Sequence, residues 1–197
     1  LWEQYHRVIK ANGAIVLTAS QPFTSILIAS NIKNFRYNWV WEKSKATGYL
    51  NSKRMPMKAH EDVCVFYRKL PTYNPQMWQG KPYNKGSAHR PTDVYGDQRA
   101  VLVKNETGLR YPRTVQYFKT AESEGQTYHS TQKPISLFEY LIKTYTNEGD
   151  TVLDSCVGAG TTALAAINSN RRYICMENDE EYYNITLKRI EALKGDK

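Results

Sequence analysis

The sequence predicts an α/β fold, because a short strand, a glycine turn and a helix follow one another near the C-terminus. Val152 and Leu153 suit a buried strand that ends at Asp154. Gly158 and Gly160 then allow a tight turn and the close approach of a ligand to the backbone. We predict a mostly parallel sheet with helices on both faces, an antiparallel edge and a loop-rich insertion.

A helix and a second strand–helix pair follow this turn. Thr161 and Thr162 can cap a helix that the strong helix formers from Ala163 onward continue. Residues 172–176 read as a short strand, and residues 180–193 as an amphipathic helix. A ligand would lie on the glycine turn, against the helix N-terminus and at the carboxyl end of the strand.

The glycine turn alone does not identify the ligand. The glycines could serve only the packing of a β–α–β unit. The spacing is not the Gly-x-Gly-x-x-Gly of nicotinamide and flavin enzymes, which argues against a dehydrogenase. Glu177 ends the second strand, about twenty positions past the turn, where such folds place an acidic residue that binds a ribose.

Two motifs resemble those of amino-methylating DNA methyltransferases. The turn reads Asp154-x-x-x-Gly158-x-Gly160-Thr-Thr and is followed by Glu177, which is similar to the S-adenosylmethionine site of those enzymes. Upstream, residues 129–134 (His-Ser-Thr-Gln-Lys-Pro) resemble their His-Pro-Thr-Gln-Lys-Pro signature. The order of the motifs matches the permuted β group, and the chain looks closest to its phage-type N6-adenine branch.

This resemblance implies S-adenosylmethionine as the cofactor and a Rossmann-like methyltransferase fold. Asp154 would bind the methionine amino group, Glu177 the ribose hydroxyls, and Asn178 would lie next to the adenine. Ser155 and Cys156 stand where many members have Pro-Phe. The residues expected to bind the cofactor are His129, Ser130, Gln132, Lys133, Asp154, Ser155, Cys156, Gly158, Gly160, Thr161, Thr162, Glu177 and Asn178.

The composition is that of a globular protein with a basic surface. Hydrophobic residues make up 41% and charged residues 23% of the 197 positions, and the formal net charge is +8. The charge favours a polyanionic partner, although a basic surface can also serve solubility alone. No apolar run approaches the roughly 20 residues that span a bilayer, and no secretory signal opens the chain. The three cysteines suit buried, reduced thiols in a cytoplasmic protein, and no metal site is expected.

The N-terminal half predicts further elements of the sheet. Helices are expected over residues 1–10 and 23–32, and a buried parallel strand over residues 14–18. Residues 35–41 and 61–67 alternate like strands near one edge of the sheet.

A basic loop is expected between those two strands. No acidic residue interrupts positions 43–59, which suits contacts with DNA phosphates, although a solvated loop can also be basic by chance. His60-Glu61 follows, as a similar pair does in the family. His60 is a helper near the target base or a strand-entry residue, and we do not assign it as a catalytic base.

Residues 68–128 read as a loop-rich region, rich in proline, glycine and tyrosine, with one short strand expected within residues 109–119. By position this stretch resembles the family's target recognition region. We therefore divide the chain into 1–69 as the catalytic-side half, 70–128 as the recognition insertion and 129–197 as the cofactor-binding half. The residues expected to touch DNA are Lys43, Lys45, Lys53, Arg54, Lys58, Arg90, Arg99, Arg110 and Arg113.

The family's catalytic tetrapeptide, Asp-Pro-Pro-Tyr or a close variant, does not occur in this sequence. The resemblance places residue 1 just after that catalytic loop, so no catalytic residue is expected in this chain. The strand that carries the tetrapeptide would lie between the strands at residues 14–18 and 152–153. Without it we expect two half-sheets with unpaired edges.

The resemblance implies transfer of a methyl group from S-adenosylmethionine to adenine N6 in double-stranded DNA, with the base flipped out of the duplex. The setting would be a bacterial or phage restriction-modification system, away from membranes. Cytosine-N4 methylation, RNA methylation and a non-catalytic DNA-binding remnant stay open as alternatives. A homodimer and a partner nuclease are also left open.

Overall fold

The computed structural model describes residues 1–88 and 101–195. They divide into two compact units. The first unit consists of residues 1–74 and 114–195, and the second consists of Pro75–Arg113. The second unit lies within the stretch 70–128 that the sequence marks as an insertion. Among the described residues, no helix is long and apolar enough to cross a membrane.

The first unit alternates strands and helices. Its elements are α1 Trp2–Val8, β1 Ile15–Ala19, α2 Phe23–Ala29, β2 Phe35–Thr47, a 3-10 helix Tyr49–Asn51 and β3 Lys58–Phe66. After the second unit come β8 Val115–Phe118, α3 Ala121–Glu124, α4 Ile135–Tyr145, β9 Thr151–Asp154, α5 Thr161–Asn168, β10 Arg172–Cys175 and α6 Glu180–Gly195.

Four strands form a mixed sheet in the order β1-β3-β2-β8. Strand β3 pairs antiparallel with both of its neighbours, and β2 pairs parallel with β8. The prediction that β1 is a parallel strand was therefore wrong: β1 pairs antiparallel with β3, with Leu17 opposite Cys64. The continuous apolar run reflects burial on both faces: Ile15 packs towards α1 and α2, whereas Val16 packs towards α4.

Strands β9 and β10 form a separate parallel pair. In the described residues, neither is hydrogen-bonded to the four-stranded sheet. Val152 and Tyr173 on one face pack on α4 and α5. Leu153 and Ile174 on the other face are 39% and 52% exposed, so the expectation of a buried Leu153 was wrong. Only one face of this pair is covered by described residues.

Helix α4 packs against both sheets. Leu137, Leu141 and Tyr145 lie in the core of the four-stranded sheet. Ile142, a neighbour on the helix surface, lies with Ala165 of α5 in a second core cluster against β9 and β10. The apolar positions of Ile135–Tyr145 recur at helical spacing, so the sequence alone predicts a helix with these bounds.

Both ends of α4 are capped by side chains from other segments. The Glu124 carboxylate accepts hydrogen bonds from the backbone N–H groups of Ile135 and Ser136, at 2.6 and 3.1 Å. At the other end, the Asn74 amide donates to the carbonyl oxygens of Lys143 and Thr146. These bonds satisfy backbone groups that a helix leaves without partners, and they fix where α4 begins and ends.

The second unit contains two short antiparallel strand pairs. Strand β4 (Trp78–Gln79) pairs with β7 (Leu109–Arg110), and β5 (Tyr83–Ala88) pairs with β6 (Val101–Asn105). The strand expected within residues 109–119 is two strands, β7 and β8, which belong to different units. Short strands joined by turns give no sustained alternation, which is why the sequence did not predict β4 to β6.

Candidate cofactor site

The glycine turn is held to the ends of both parallel strands. Asp154 and Cys175 are directly paired, so the carboxyl ends of β9 and β10 lie side by side. The Met176 N–H donates to the Asp154 carbonyl at 2.9 Å, and the Val157 N–H donates to the Met176 carbonyl at 3.0 Å. The turn therefore sits at the strand ends, where open α/β sheets bind ligands.

Two carboxylates flank this turn. Asp154 accepts hydrogen bonds from the Cys156 N–H at 3.0 Å and from the Thr162 hydroxyl. Glu177 accepts one from the Gly158 N–H at 2.7 Å through Oε2. Each carboxylate oxygen can accept about two hydrogen bonds, so both groups keep room for a ligand.

The pKa of Glu177 lies below its usual value. The main cause is the hydrogen bond from the Asp179 N–H, and the N–H groups of Gly158 and Asn178 act in the same direction. These donors stabilise the charged form of a carboxylate. Glu177 is therefore ionised at neutral pH and can accept hydrogen bonds from hydroxyl groups.

Helix α6 packs directly on the turn and constrains Gly160. The Thr186 hydroxyl donates to the Gly158 carbonyl at 2.9 Å, and the Arg189 guanidinium donates to the Ala159 carbonyl. Gly160 has φ +87°, and a Cβ atom there would lie 2.9 Å from Cγ2 of Thr186. Glycine is required at position 160 for its conformation and for its contact with α6.

The upstream motif lies against the turn. The His129 ring lies 3.7 Å from where a Cβ of Gly158 would be, and its centroid is 4.4 Å from that of Tyr182. The Thr131 N–H donates to Nδ1 of His129 at 3.0 Å, so a neutral ring carries its proton on Nε2. The two motifs that the sequence separates therefore form one site.

Lys133 connects this site to the four-stranded sheet. Its carbonyl oxygen accepts a hydrogen bond from the Thr161 hydroxyl at 3.2 Å, at the start of α5. Its ammonium group pairs with Glu61 of β3 at 2.9 Å, and Lys43 of β2 pairs with the same carboxylate at 2.5 Å. The side chains of Lys43, Glu61 and Lys133 are 8%, 14% and 22% exposed.

This charge cluster keeps Glu61 ionised. Burial alone raises the pKa of this carboxyl, but the hydrogen bonds and charges of Lys43 and Lys133 outweigh burial and lower it. Sequence reasoning noticed the His60-Glu61 pair but assigned Glu61 no role. The only hint in the sequence was the resemblance of His60-Glu61 to the family's His-Glu pair. That Lys43 and Lys133 pair with Glu61 is visible only in the fold.

Comparison with known proteins decides the family. Residues 1–188 match the DNA methylase family of N6 and N4 methyltransferases. The chain belongs to this DNA methylase family.

Relatives and solved structures agree with this assignment. The chain is 28% identical over 221 residues to type II methyltransferase M.HindIII of Haemophilus influenzae, covering 95% of this chain and 66% of that protein. It is 29% identical over 179 residues to M.BglI of Bacillus subtilis, covering 84% and 49%. The chain thus spans about half to two thirds of the length of these curated relatives.

Among solved structures, the M1.HpyAVI–SAM complex has a TM-score of 0.68 and 26% identity, covering 95% of this chain and 78% of that one. The cytosine-N4-specific PvuII DNA methyltransferase has a TM-score of 0.63 at 19% identity, covering 92% and 64%, which supports the fold. The Rossmann-like methyltransferase fold predicted from the sequence is confirmed.

Within this DNA methylase, the expected cofactor residues fall into two groups. Most lie on or against the turn, in the contacts described above. The side chain of Gln132 instead accepts a hydrogen bond from the Tyr128 N–H at 3.0 Å. Ser130 is exposed, and Asn178 contributes its backbone N–H to Glu177 at 2.9 Å.

Two local expectations need correction. The N-cap of α5 is Gly160, so Thr161 and Thr162 are its first helical residues and their hydroxyls bind Lys133 and Asp154. Cys156 lies in the turn and is exposed, unlike the buried Cys64. A threonine can serve as the N-cap or as a first-turn residue of a helix, and only the geometry of the turn shows which of the two applies.

The basic residues expected to touch DNA also divide. Lys43 belongs to β2 and is buried against Glu61, so it does not present its charge to solvent, contrary to expectation. Lys45, Lys53, Arg54 and Lys58 are exposed. In the second unit, Arg113 is exposed, whereas the Arg110 guanidinium lies over the Tyr83 ring at 4.7 Å. Arg90 and Arg99 lie outside the described residues.

Substitutions at Gly149, which precedes β9, and at Gly160, in the glycine turn, distinguish the cost of backbone strain from the cost of overpacking. Gly149 has φ +78° with open space around it, whereas Gly160 combines φ +87° with the Thr186 contact. We expect Gly149→Ala to cost about 1 kcal/mol in free energy of unfolding, the usual size of left-handed strain. Gly160→Ala should cost about 1–3 kcal/mol more, because the new methyl group overpacks the contact.

Urea denaturation of both variants measures this difference. Equal losses for the two would show that α6 does not press on the turn.

The charge cluster predicts an acid-sensitive contribution to stability. Because Glu61 has a lowered pKa when folded, its contribution is present above its unfolded pKa of about 4.3 and is lost as pH falls through the folded value. Glu61→Gln should lower the free energy of unfolding by about 3 kcal/mol at pH 7, since it leaves two cations without their partner.

The control is Glu42→Gln, an exposed glutamate of the neighbouring strand, which should change the free energy of unfolding by less than about 0.5 kcal/mol. In urea titrations between pH 7 and 3, the free energy of unfolding should decrease less with falling pH for Glu61→Gln than for wild type. Parallel pH profiles would contradict the assignment of this loss to Glu61.

Proposed function

We propose that this protein takes part in the transfer of a methyl group from S-adenosylmethionine to the N6 amino group of adenine in double-stranded DNA. One observation carries the proposal. The glycine turn lies at the carboxyl ends of two paired parallel strands, flanked by Asp154 and Glu177, with the His129–Pro134 motif folded onto it. Membership of the DNA methylase family supports the same reading.

The donor set fits this cofactor. S-adenosylmethionine carries an ammonium group, a ribose diol and a sulfonium charge, and both carboxylates favour such partners. Asp154 would accept the methionine ammonium group, because each of its oxygens already holds the turn and keeps a free lone pair. Oε1 of Glu177 already accepts from the N–H groups of Asn178 and Asp179, so Oε2 is the atom open to a ribose hydroxyl.

The cofactor supplies the electrophilic methyl group when bound. The protein's own residues fix its position: the two carboxylates hold it at the strand ends, and α6 keeps the turn rigid through Thr186 and Arg189. Methyl transfer to an amino group depends on alignment of the reacting atoms, which a rigid turn favours.

The DNA side of the proposal rests on the β2–β3 hairpin and the net charge. Lys45, Lys53, Arg54 and Lys58 are exposed along the hairpin, and the chain carries +8. Exposed cations of this density suit contacts with phosphates. Glu61 lies at the base of this hairpin, and its partner Lys133 belongs to the residue 129–134 motif.

Adenine N6 and cytosine N4 are both exocyclic amino groups that this family methylates, as its name states. The adenine assignment rests on the likeness of both motifs to the N6-adenine branch. A setting in bacterial restriction-modification is supported by the type II methyltransferases that the chain resembles.

Calorimetric titration with S-adenosylmethionine tests the site. Asp154→Asn keeps a hydrogen-bond acceptor for the turn but removes the charge, so affinity should fall roughly 10- to 100-fold, the size of one charge-assisted hydrogen bond. Affinity should also persist down to the usual glutamate pKa of about 4.3 and fall only at lower pH, because the pKa of Glu177 lies below that usual value.

The matched control is Glu148→Gln, which removes one exposed charge six positions before Asp154 and should bind like wild type. Equal losses for both variants would show a general charge effect. Unchanged binding by Asp154→Asn would remove this residue from the site.

Nucleoside analysis decides the target base. The protein is incubated with methyl-labelled S-adenosylmethionine and unmethylated bacterial genomic DNA, and the digested nucleosides are separated by mass. Because the sequence lacks the family's catalytic tetrapeptide, a segment that carries it is supplied in the reaction. We then expect labelled N6-methyladenine, and its loss in Asp154→Asn. Labelled N4-methylcytosine would assign the cytosine alternative. DNA binding with neither product nor cofactor binding would assign the non-catalytic alternative.

A further inference from the structure

The loop between β2 and β3 carries large apolar side chains that the described residues do not cover. Leu50 is 96% exposed, Tyr49 76%, Met55 59% and Met57 38%. Single exposed apolar residues are ordinary, but four within nine positions form a patch that indicates an interaction surface. We call residues 48–57 the hairpin tip.

The backbone of the hairpin tip has its own hydrogen bonds. Gly48, at φ +92°, precedes the 3-10 helix Tyr49–Asn51. The N–H groups of Ser52 and Arg54 donate to the carbonyls of Tyr49 and Asn51, at 3.0 and 2.8 Å. The exposed side chains therefore project from a locally ordered turn, which reduces the entropy cost of placing them in a partner.

The charges around the hairpin tip specify its partner. Lys45, Lys53, Arg54 and Lys58 flank or interrupt the apolar residues along the sequence, and no acidic residue occurs between positions 43 and 60. Lys45 pairs with Glu122 of α3 at 3.3 Å, which leaves Lys53, Arg54 and Lys58 as the cations at the hairpin tip. Exposed apolar side chains beside the cations Lys53, Arg54 and Lys58 complement a polyanion that also has an apolar interior. Duplex DNA has this combination, with phosphates outside and stacked bases inside.

The base of the hairpin adjoins the cofactor site. Lys43 and Glu61, where β2 and β3 leave the sheet, form the ion cluster with Lys133 of the cofactor motif. A strand rises about 3.3 Å per residue, so the six residues from Lys43 to Tyr49 span at most about 20 Å. The hairpin tip can therefore reach a duplex whose target base occupies the neighbouring site.

We propose that Tyr49 and Leu50 form a wedge that enters the base stack and fills the gap left by the extruded target base. This inference rests on the proposed DNA methyltransferase function and assigns it a further DNA-contacting element. Base extrusion leaves an unstacked gap, and aromatic or aliphatic side chains can stack into such gaps. The surrounding lysines and arginine bind the phosphates on either side.

The test uses two DNA duplexes of the same sequence, one intact and one with a single abasic nucleotide that leaves a ready-made gap. Affinities are measured by fluorescence anisotropy across a series of salt concentrations. Wild type should bind the abasic duplex about tenfold more tightly, the size of one stacked aromatic contact. Tyr49→Ala/Leu50→Ala should bind both duplexes equally.

The matched control is Lys53→Ala/Arg54→Ala. It should keep the preference for the abasic duplex while the slope of log affinity against log salt concentration falls by about 2, since each lost phosphate contact removes about 0.9. The wedge variant should keep the wild-type slope.

Two results would overturn the wedge: equal binding of both duplexes by wild type, or an unchanged preference for the abasic duplex in Tyr49→Ala/Leu50→Ala. Sedimentation of wild type and variant shows whether the second result comes with the loss of a dimer. Such a loss would assign the hairpin tip to a second copy of the chain. S-adenosylmethionine titration of the wedge variant separates the two proposals. Normal cofactor binding with a failed wedge leaves the methyltransferase function standing.

Discussion

The packing of α4 on both sheets is the constraint on which the rest of the first unit depends. The four-stranded sheet and the β9–β10 pair share no backbone hydrogen bonds among the described residues, so side-chain packing must hold them in place. Leu137, Leu141 and Tyr145 bind one sheet, whereas Ile142 meets the alanines of α5. Buried apolar contacts of this kind supply about 25 cal/mol per Å² of surface removed from water.

The same helix brings the residue 129–134 motif and the four-stranded sheet together. Its N-terminus is fixed by Glu124, and the residue before Pro134 is Lys133, which binds α5 through its carbonyl and Glu61 through its ammonium group. Movement of the glycine turn would therefore strain an ion cluster on β2 and β3. Lys133 thus joins the start of α5 to the ion cluster at the base of the β2–β3 hairpin.

The sequence predicted the helices and the glycine turn well, for physical reasons. Helix α4 has apolar residues at helical spacing, and the turn has two glycines that must adopt positive φ values. The two-sided burial of β1 hid its antiparallel pairing, because a strand covered on both faces reads as a continuous apolar run. The strand expected over residues 35–41 extends to Thr47. The sequence did not predict this extension, because its polar end has no buried face and so shows no alternation of apolar and polar residues.

The site was predictable only in part. Asp154 and Glu177 follow from their positions at strand ends, which a local pattern can show. The partnership of Lys43, Glu61 and Lys133 joins residues up to 90 positions apart, and each alone resembles an ordinary surface charge. Likewise, the basic pattern indicated the hairpin, but only the exposure of Leu50 revealed its apolar tip.

Hydrogen–deuterium exchange with and without S-adenosylmethionine tests the central claim most directly, because it locates binding without a variant. We expect slower exchange in residues 129–133 and 154–162 at saturating cofactor, since the ligand would be held by both motifs at once. Residues 75–88 of the second unit should be unchanged. Slower exchange confined to other segments, or none at all, would contradict the assignment of the cofactor to the Asp154 turn.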